Sequence, residues 1–217
     1  MCFSAEVSLI TYITGLFGCW LIYNNGMKTE ALFYAWVVHM QLVEFFLHIL
    51  QDEKNDGLNK LITRVGIFIN HTEPYVFYAG INMFENPDFI NGVLMKIMMT
   101  LLFFPTVYYS RMIVRSDVKP TKHGCVIKDP SSPCKNGKLF WNWNYDGNTE
   151  YYYPLFVFSL VLLSLCGLNG KRANLNAAMV VISYALSYYI YQKEKAVGSM
   201  WCFASAFAPY ILMALVR

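Results

Sequence analysis

Three polar residues recur at helical spacing within one apolar stretch of the sequence. Gln41, Glu44 and His48 are three and four positions apart, so in an α-helix they share one face. An ionised carboxylate inside a bilayer costs at least ~2.5 kcal/mol, and a membrane helix keeps one only where it faces a partner or a cavity or is protonated. The stripe therefore predicts either a proton relay, cation site or solute site, or a hydrogen-bond clamp between helices.

A second polar group lies in the next apolar stretch, where Asn70, His71, Glu73 and Pro74 occur close together. If the two stretches are antiparallel neighbours, we expect Asn70 and His71 at a depth similar to that of Glu44 and within reach of it. Pro74 removes a backbone donor and crowds the carbonyl of Asn70. Kinked helices build substrate sites in transporters, although proline kinks without a function are at least as frequent.

The histidines do not have the spacing of a metal site. His39, His48 and His71 together with Glu44 would be enough ligands for zinc, but no HxxxH or HExxH pattern occurs, and His39 lies 180° from His48 around a helix. No GxSxG, phosphate loop or dinucleotide fingerprint is present either. We expect no metal site, no catalytic residue and no cofactor, and an intramembrane metal-dependent hydrolase is only a third hypothesis.

Charged residues are scarce over the whole chain. Of 217 residues, 56% are hydrophobic, 17% are aromatic and 14% are charged, whereas soluble domains average ~25% charged residues. Disordered and collagen-like chains are excluded, and a formal net charge of +3 is too small for a nucleic-acid binder. The lipid bilayer is therefore the expected partner, and no nucleic acid is expected.

Seven apolar runs are close to the ~20 residues with which a helix crosses ~30 Å of hydrocarbon. They predict an all-α polytopic transmembrane bundle that forms a single membrane domain over residues 1–217. The expected helices are 7–23, 31–50, 64–84, 92–113, 153–168, 174–192 and 199–216.

The connection 114–152 is the one long loop. It contains Cys125 and Cys134, after which Trp141 and Trp143 alternate with asparagines. We expect a small extended or hairpin cap that lies on the headgroup layer, where indole rings are favoured.

Seven crossings put the N-terminus and the loops 51–63, 114–152 and 193–198 on one membrane face, which we call side A; the opposite face is side B. Side A holds twelve Lys and Arg residues against five on side B, but many of the twelve lie in the long loop, where the positive-inside rule loses force. Glu6 before the first helix and Lys28 after it favour an N-terminus that is outside or luminal.

Four cysteines share side A. If that compartment is oxidising, Cys125 with Cys134 closes a short surface loop, and Cys2 with Cys202 staples the first helix to the last. Four free thiols are the alternative.

Two segments of the sequence resemble each other. Residues 49–57 and 190–198 match at Ile, Gln, Glu, Lys and Gly with a constant offset of 141. A true duplication would relate helices one to three to helices five to seven, which is the 3+1+3 parallel-repeat plan of small facilitators of the SWEET and PQ-loop kind. Against it, no Pro-Gln dipeptide occurs, and Ala185 and Tyr189 stand where the repeat would need Glu44 and His48. Chance similarity is the alternative.

Three segments carry a resemblance to a known group of proteins: the opening Met1–Ser8, the Gln41–Glu44 segment, and Gly198–Phe203 with its Trp201-Cys202 pair. Together they resemble small polytopic membrane proteins of unknown function that begin MCFSA and occur in large DNA viruses and, more loosely, in bacteria. The resemblance implies a seven-helix membrane fold in a viral or host endomembrane or plasma membrane, and it supplies no reaction.

These observations leave two main hypotheses. The first is a transporter or channel that moves protons, a cation or a small polar solute past Gln41, Glu44, His48, Asn70, His71 and Glu73. The second is a non-enzymatic structural or assembly protein of a virion or host membrane, in which the polar residues hold helices together. The partners expected besides lipid are a small ion or solute and, as a homo-oligomer, further copies of the chain.

Overall fold

The chain folds into a bundle of α-helices. The computed structural model describes residues 4–51, 53–114, 118–124, 138–139, 141, 152–191 and 197–216, and the predicted all-α fold class is confirmed within these ranges. The helices are α1 Ala5–Asn24, α2 Lys28–Ile49, α3 Asp56–Phe84, α4 Phe89–Ser110, α5 Tyr152–Gly167, α6 Gly170–Tyr191, α7 Val197–Ser205 and α8 Ala208–Leu215. Short 3-10 turns cover Glu53–Asn55 and Arg111–Ile113.

Local signals in the sequence explain several helix ends. The Ser4 hydroxyl accepts a hydrogen bond from the Val7 N–H at 3.3 Å and caps α1, and the Asp88 carboxylate accepts one from the Asn91 N–H at 2.8 Å and caps α4. Between α1 and α2 the chain turns through Gly26, whose φ of 85° favours glycine. These short connections force neighbouring helices to run antiparallel.

The membrane class follows from helix length and hydropathy. Within the described residues, five spans are long and apolar enough to cross a bilayer: α1, α2, α4, α6 and the combined stretch Val197–Leu215. Exposed apolar side chains follow the outer faces of α1 and α4, as at Phe17, Ile97 and Phe104. Lipid rather than water is the solvent that suits such faces.

Helix α3 is longer than predicted. It begins at Asp56 and not near residue 64, so the connection from α2 is only six residues long. The additional residues at its start include Asn59, which is buried and donates hydrogen bonds to the carbonyls of Leu50 and Thr121, both at 2.9 Å. A hydropathy window cannot detect a helical segment whose buried side is polar.

The predicted seventh helix is divided into two. Helix α7 ends at Ser205 and α8 starts at Ala208, with Pro209 in the first turn of α8. Proline is favoured in a first helical turn because the N–H it lacks would have no partner there. Together the two helices still form one membrane span.

Part of the long loop enters the bundle. Strand β1 (His123–Gly124) pairs antiparallel with β2 (Lys138–Leu139). Leu139 and Trp141 are 0% and 1% exposed and pack with Met40 and Ile67 in an apolar cluster. Trp141 is therefore covered by protein and not by solvent, and its predicted position at the depth of the headgroup layer stays a prediction. Cys125, Cys134 and Trp143 lie outside the described residues.

Helix packing follows a pattern that an internal repeat would produce. Helix α6 begins 142 residues after α2 (170 against 28), and α7 begins 141 after α3 (197 against 56). In a 3+1+3 repeat, α1, α2 and α3 would correspond to α5, α6 and the α7–α8 span. The contacts fit this scheme, because α1 packs on α2 and α2 on α3, just as α5 packs on α6 and α6 on α7. The contact between α1 and α8 likewise corresponds to the contact between α5 and α3. The 3+1+3 repeat stays a prediction, now with a structural pattern beside the sequence match.

Candidate functional site

Buried polar side chains follow one face of α2 over its whole length. Gln41 and Glu44, both predicted, are each 1% exposed, and His48 follows half-buried one turn later. The same face continues back to Tyr34 and Glu30, which are 2% and 0% exposed. The eighteen helical steps from Glu30 to His48 span about 27 Å at 1.5 Å per residue, close to the ~30 Å of a hydrocarbon core.

Glu30 belongs to a charge cluster at side B. The Arg172 guanidinium donates to both carboxylate oxygens of Glu30, at 2.7 and 2.6 Å, and to Glu85 at 2.7 Å. The Thr29 hydroxyl donates to the same Glu85 oxygen at 2.8 Å. One cation thus holds two carboxylates and ties the start of α2, the end of α3 and the start of α6 together.

This cluster was not predicted from the sequence. Glu30 and Arg172 lie close to predicted helix ends, where charged side chains usually reach the aqueous phase. One signal was present in the sequence. Tyr34 lies seven residues before Gln41, and Glu30 lies fourteen residues before Glu44. Both residues therefore fall on the same helix face as the stripe.

Next along the stripe, Tyr34 starts a short hydrogen-bond chain between three helices. Its hydroxyl donates to Asn176 Oδ1 at 2.5 Å, and Asn176 Nδ2 donates to the Ser164 hydroxyl at 2.8 Å. All three side chains are buried. The chain links α2, α6 and α5 one turn below the charge cluster.

The predicted polar residues in the middle of α3 contact α4 and α5. The Tyr153 hydroxyl donates to Asn70 Oδ1 at 3.0 Å. His71 Nδ1 lies 2.9 Å from the Ser110 hydroxyl, and its ring meets the edge of Tyr152 with 5.1 Å between centroids. Asn70 and His71 are each 1% exposed, so these two residues join three helices in the interior.

A chain of hydroxyl groups lies beside His71. The Tyr75 hydroxyl donates to Thr106 Oγ1 at 3.2 Å, and Thr106 Oγ1 is 3.1 Å from the Tyr152 hydroxyl. Hydroxyl groups in contact both donate and accept, so the chain can reorient without breaking. None of these three residues was predicted from the sequence as part of the site.

Glu44 is not at the depth of Asn70 and His71. The Trp36 indole N–H donates to the Ile69 carbonyl and to Thr72 Oγ1, both at 3.1 Å, so residue 36 of α2 is level with about residue 70 of α3. Glu44 is eight residues further along α2, or about 12 Å closer to side A. The expected similarity in depth is wrong because α3 starts earlier than predicted, which shifts the register of the two antiparallel helices.

Several buried polar atoms near the centre have no hydrogen-bond partner among the described residues. They are Gln41 Nε2, Asn70 Nδ2, His71 Nε2 and Glu73 Oε1. Glu73 is 2% exposed, lies beside Asn70, and lines a cavity of about 570 Å³. Because an unpaired buried polar group is costly, this concentration points to a ligand, an ion or water at the centre of the bundle.

The described residues contain no grouping of three or more His, Cys, Asp or Glu side chains that could hold a metal ion. His71 is instead directed to Ser110 and Tyr152, and His39 contacts the carbonyl of Ala35 in its own helix at 2.6 Å.

The disulfide predictions involve residues that are mostly outside the described ranges. Cys202 is buried near the start of α7, at 1% exposure. Its predicted partner Cys2 is outside the described residues, as are Cys125 and Cys134. Both disulfides stay predictions.

Fold and site together define a polytopic helical integral membrane protein with a polar interior. Comparison of the chain with protein-family models, with curated proteins and with solved structures gave no match.

Proposed function

We propose that the protein conducts protons across the membrane, with Glu44 and Glu73 as the central relay groups and Gln41, His48, Asn70 and His71 beside them. One observation supports this most directly: buried polar side chains line α2 from Glu30 to His48, nearly the thickness of a bilayer. Intramembrane carboxylates that line such a path are typical of proton relays.

The stripe has one apolar interruption, at Val37. Val37 and Glu73 line the same cavity, so the cavity connects this gap in the stripe with the Glu73 carboxyl of α3. The unpartnered atoms of Glu73 and Gln41 provide sites where water completes the path. A proton needs only such a chain of hydrogen-bonding groups, so protons fit this interior better than a larger cation or polar solute.

Flux measurements in proteoliposomes test the proposal. With a trapped pH-sensitive dye and a potassium diffusion potential, we expect the wild type to carry a proton current, and Glu44→Gln and Glu73→Gln each to reduce its rate by about tenfold or more. Asp88→Asn is the matched control, because it also replaces a carboxylate by an amide, lies at the exposed start of α4 and keeps a good helix cap. Equal currents in all four proteins would contradict the proposal.

A structural or assembly role is the second candidate, because many buried polar groups already join helices. Arg172 with Glu30 and Glu85, and Tyr153 with Asn70, each link separate helices. For this role we expect Glu44→Gln to lower the midpoint of thermal unfolding in detergent, while the wild type carries no current above empty liposomes.

The membrane and its orientation are part of the proposal. The resemblance of the two chain ends and of the Gln41–Glu44 segment to viral membrane proteins supports a virion or host endomembrane or plasma membrane, and Glu6 and Lys28 favour an outside or luminal N-terminus. Mass spectrometry of virions and membrane fractions from an infected host tests the setting. Cross-linking of the purified protein in lipid tests whether it is a homo-oligomer.

A further inference from the structure

A cavity lies between α6 and the α7–α8 span, and α2, α3 and α5 form its inner wall. Its volume of about 570 Å³ falls within the ~300–1,000 Å³ typical of small-molecule sites. Most of its lining is apolar, with Phe33, Leu160 and Trp201 deep inside.

The mouth of the cavity faces the side of the bundle. Ile182, Leu186 and Ile190 on α6 and Ile211 and Leu215 on α8 line it, and each is exposed by about half. These positions belong to spans that are long and apolar enough to cross the bilayer. In a bilayer this mouth would face the hydrocarbon region and not either aqueous side.

The inner end of the cavity carries a carboxyl group without a complete set of partners. Glu73 is 2% exposed, and its Oε1 has no hydrogen-bond partner among the described residues. The described residues that line the cavity include no other carboxyl group and no Lys, Arg or His. Two other polar groups of the lining already have partners, since the Tyr34 hydroxyl donates to Asn176 and the Trp201 indole N–H donates to Ser183.

We propose that this cavity binds a lipophilic amine from the bilayer, with its ammonium group on Glu73 and its hydrocarbon body between α6 and α8. A hydrocarbon chain alone would leave the buried oxygen unpaired. A fatty acid would add a second carboxylate, and an alcohol would supply only a neutral hydrogen bond. An ammonium group forms a charge-assisted bond with Glu73.

Binding of radiolabelled dodecylamine to the protein in phosphatidylcholine nanodiscs tests the proposal, with dodecanol as the neutral probe of equal length. We expect saturable dodecylamine binding above that of empty nanodiscs, an affinity for dodecanol at least about tenfold lower, and a similar loss of dodecylamine affinity in Glu73→Gln. Equal affinities for the amine and the alcohol, or unchanged amine binding in Glu73→Gln, would overturn the proposal.

A second variant tests the cavity without altering its polar end. Leu186→Trp adds bulk at the mouth, where the leucine is 54% exposed, and should abolish dodecylamine binding. Ile97→Trp is the matched control, since Ile97 is 52% exposed on α4 and does not line the cavity, and it should bind like the wild type. Should Glu73→Gln fail to fold, Leu186→Trp decides the question, because binding that survives this substitution would contradict the site.

The proposed amine site goes beyond proton conduction, and its test is independent of flux. Binding is measured without any gradient across the membrane. Loss of current with intact amine binding in Glu44→Gln would support both proposals, whereas a wild type that binds the amine but carries no current would contradict the relay alone.

Discussion

Arg172 joins two carboxylates at the side-B end of the bundle. It is 21% exposed and donates to Glu30 and Glu85, whose side chains are 0% and 10% exposed. A buried ion pair contributes little net stability, but removing one partner leaves the other charge uncompensated. Because Arg172 pairs with two carboxylates, its removal would leave two largely buried negative charges without a cationic partner.

We therefore expect Arg172→Met to lower the free energy of unfolding by about 3 kcal/mol or more, as measured by thermal unfolding in detergent. Lys171→Met is the control, because Lys171 precedes Arg172 in the same helix and is exposed. Replacement of Glu30 by Gln in the Arg172→Met background should restore part of the loss. A midpoint for Arg172→Met equal to that of Lys171→Met would show that the cluster does not stabilise the fold.

The hydrogen bond between Tyr153 and Asn70 is the second contact whose strength can be predicted. Both residues are buried, and the bond joins α5 to the middle of α3 at 3.0 Å. Hydrogen bonds between membrane helices average about 0.6 kcal/mol in double-mutant cycles and reach about 1.7. We expect a coupling energy in that range for Tyr153→Phe and Asn70→Ala, measured by unfolding of the two single variants and the double variant. Strictly additive effects would contradict an energetic contribution from this bond.

The sequence was informative about which residues are polar and buried, and less so about what they contact. Gln41, Glu44, Asn70, His71 and Glu73 were predicted to lie in the interior, and each is at most 2% exposed. Their hydrogen-bond partners depend on which helices are neighbours and in which register, and a single sequence does not contain that information. The contacts of His71 with Ser110 and Tyr152 could not be predicted for this reason.

At the scale of helices, α3 shows why a hydropathy window gives an incomplete boundary. Its first residues include Asn59 and Thr63, which are buried but polar and bind Thr121 from the long loop. A window that measures apolar content stops where such residues begin, although the backbone remains helical. The resulting error of eight residues changed the predicted depth of Glu44 relative to His71.

Close packing between α5 and α3 depends on a glycine. A Cβ atom added at Gly167 would lie 2.3–2.9 Å from three atoms of Ile81, a side chain that is fully buried. Atoms at that distance overlap, so one helix must move or Ile81 must change its rotamer. Small residues at helix interfaces are a common device in membranes because they allow this approach.

We expect Gly167→Ala to destabilise the protein by about 1–3 kcal/mol through overpacking, measured by thermal unfolding in detergent. Gly92→Ala is the matched control, since Gly92 lies within α4 and a Cβ there meets no atom within 4 Å. Alanine has the higher helix propensity, so Gly92→Ala should leave the unfolding midpoint unchanged or raise it slightly. Equal midpoints for the two variants would contradict the tight α3–α5 contact.

At the scale of the whole molecule, helices α2 and α6 run in the same direction and are joined by hydrogen bonds between side chains. Both begin at side B, and their hydrogen-bonded pairs Glu30–Arg172 and Tyr34–Asn176 are each 142 residues apart. A constant separation is what two helices related by a parallel repeat would show where they face each other, and it is close to the offset of 141 in the sequence. The polar stripe nevertheless occurs on α2 and not on α6. If the two halves arose by duplication, they share the helix arrangement but not the residues of the proposed proton relay.

Two of the described helices, α5 and α3, are not among the spans that qualify by length and hydropathy, and α3 is the one that carries Asn70, His71 and Glu73. Its 29 residues are long enough, at about 43 Å, and short connections join it to α2 and α4, which both qualify. Its polar residues are turned inward, as Asn70 and Glu73 show, so low hydropathy does not prevent a crossing.

The two ends of α3 should therefore be accessible from opposite sides of the membrane. In sealed cells we expect a membrane-impermeant maleimide to label Gly57→Cys but not Asn86→Cys, which should be labelled only after permeabilisation. Both positions are exposed in the structure. The parent protein is the control, because it gives the background labelling of the native cysteines. Labelling of both variants in sealed cells would mean that α3 does not cross. The reverse pattern would keep the crossing and place side A, with the N-terminus, in the cytoplasm.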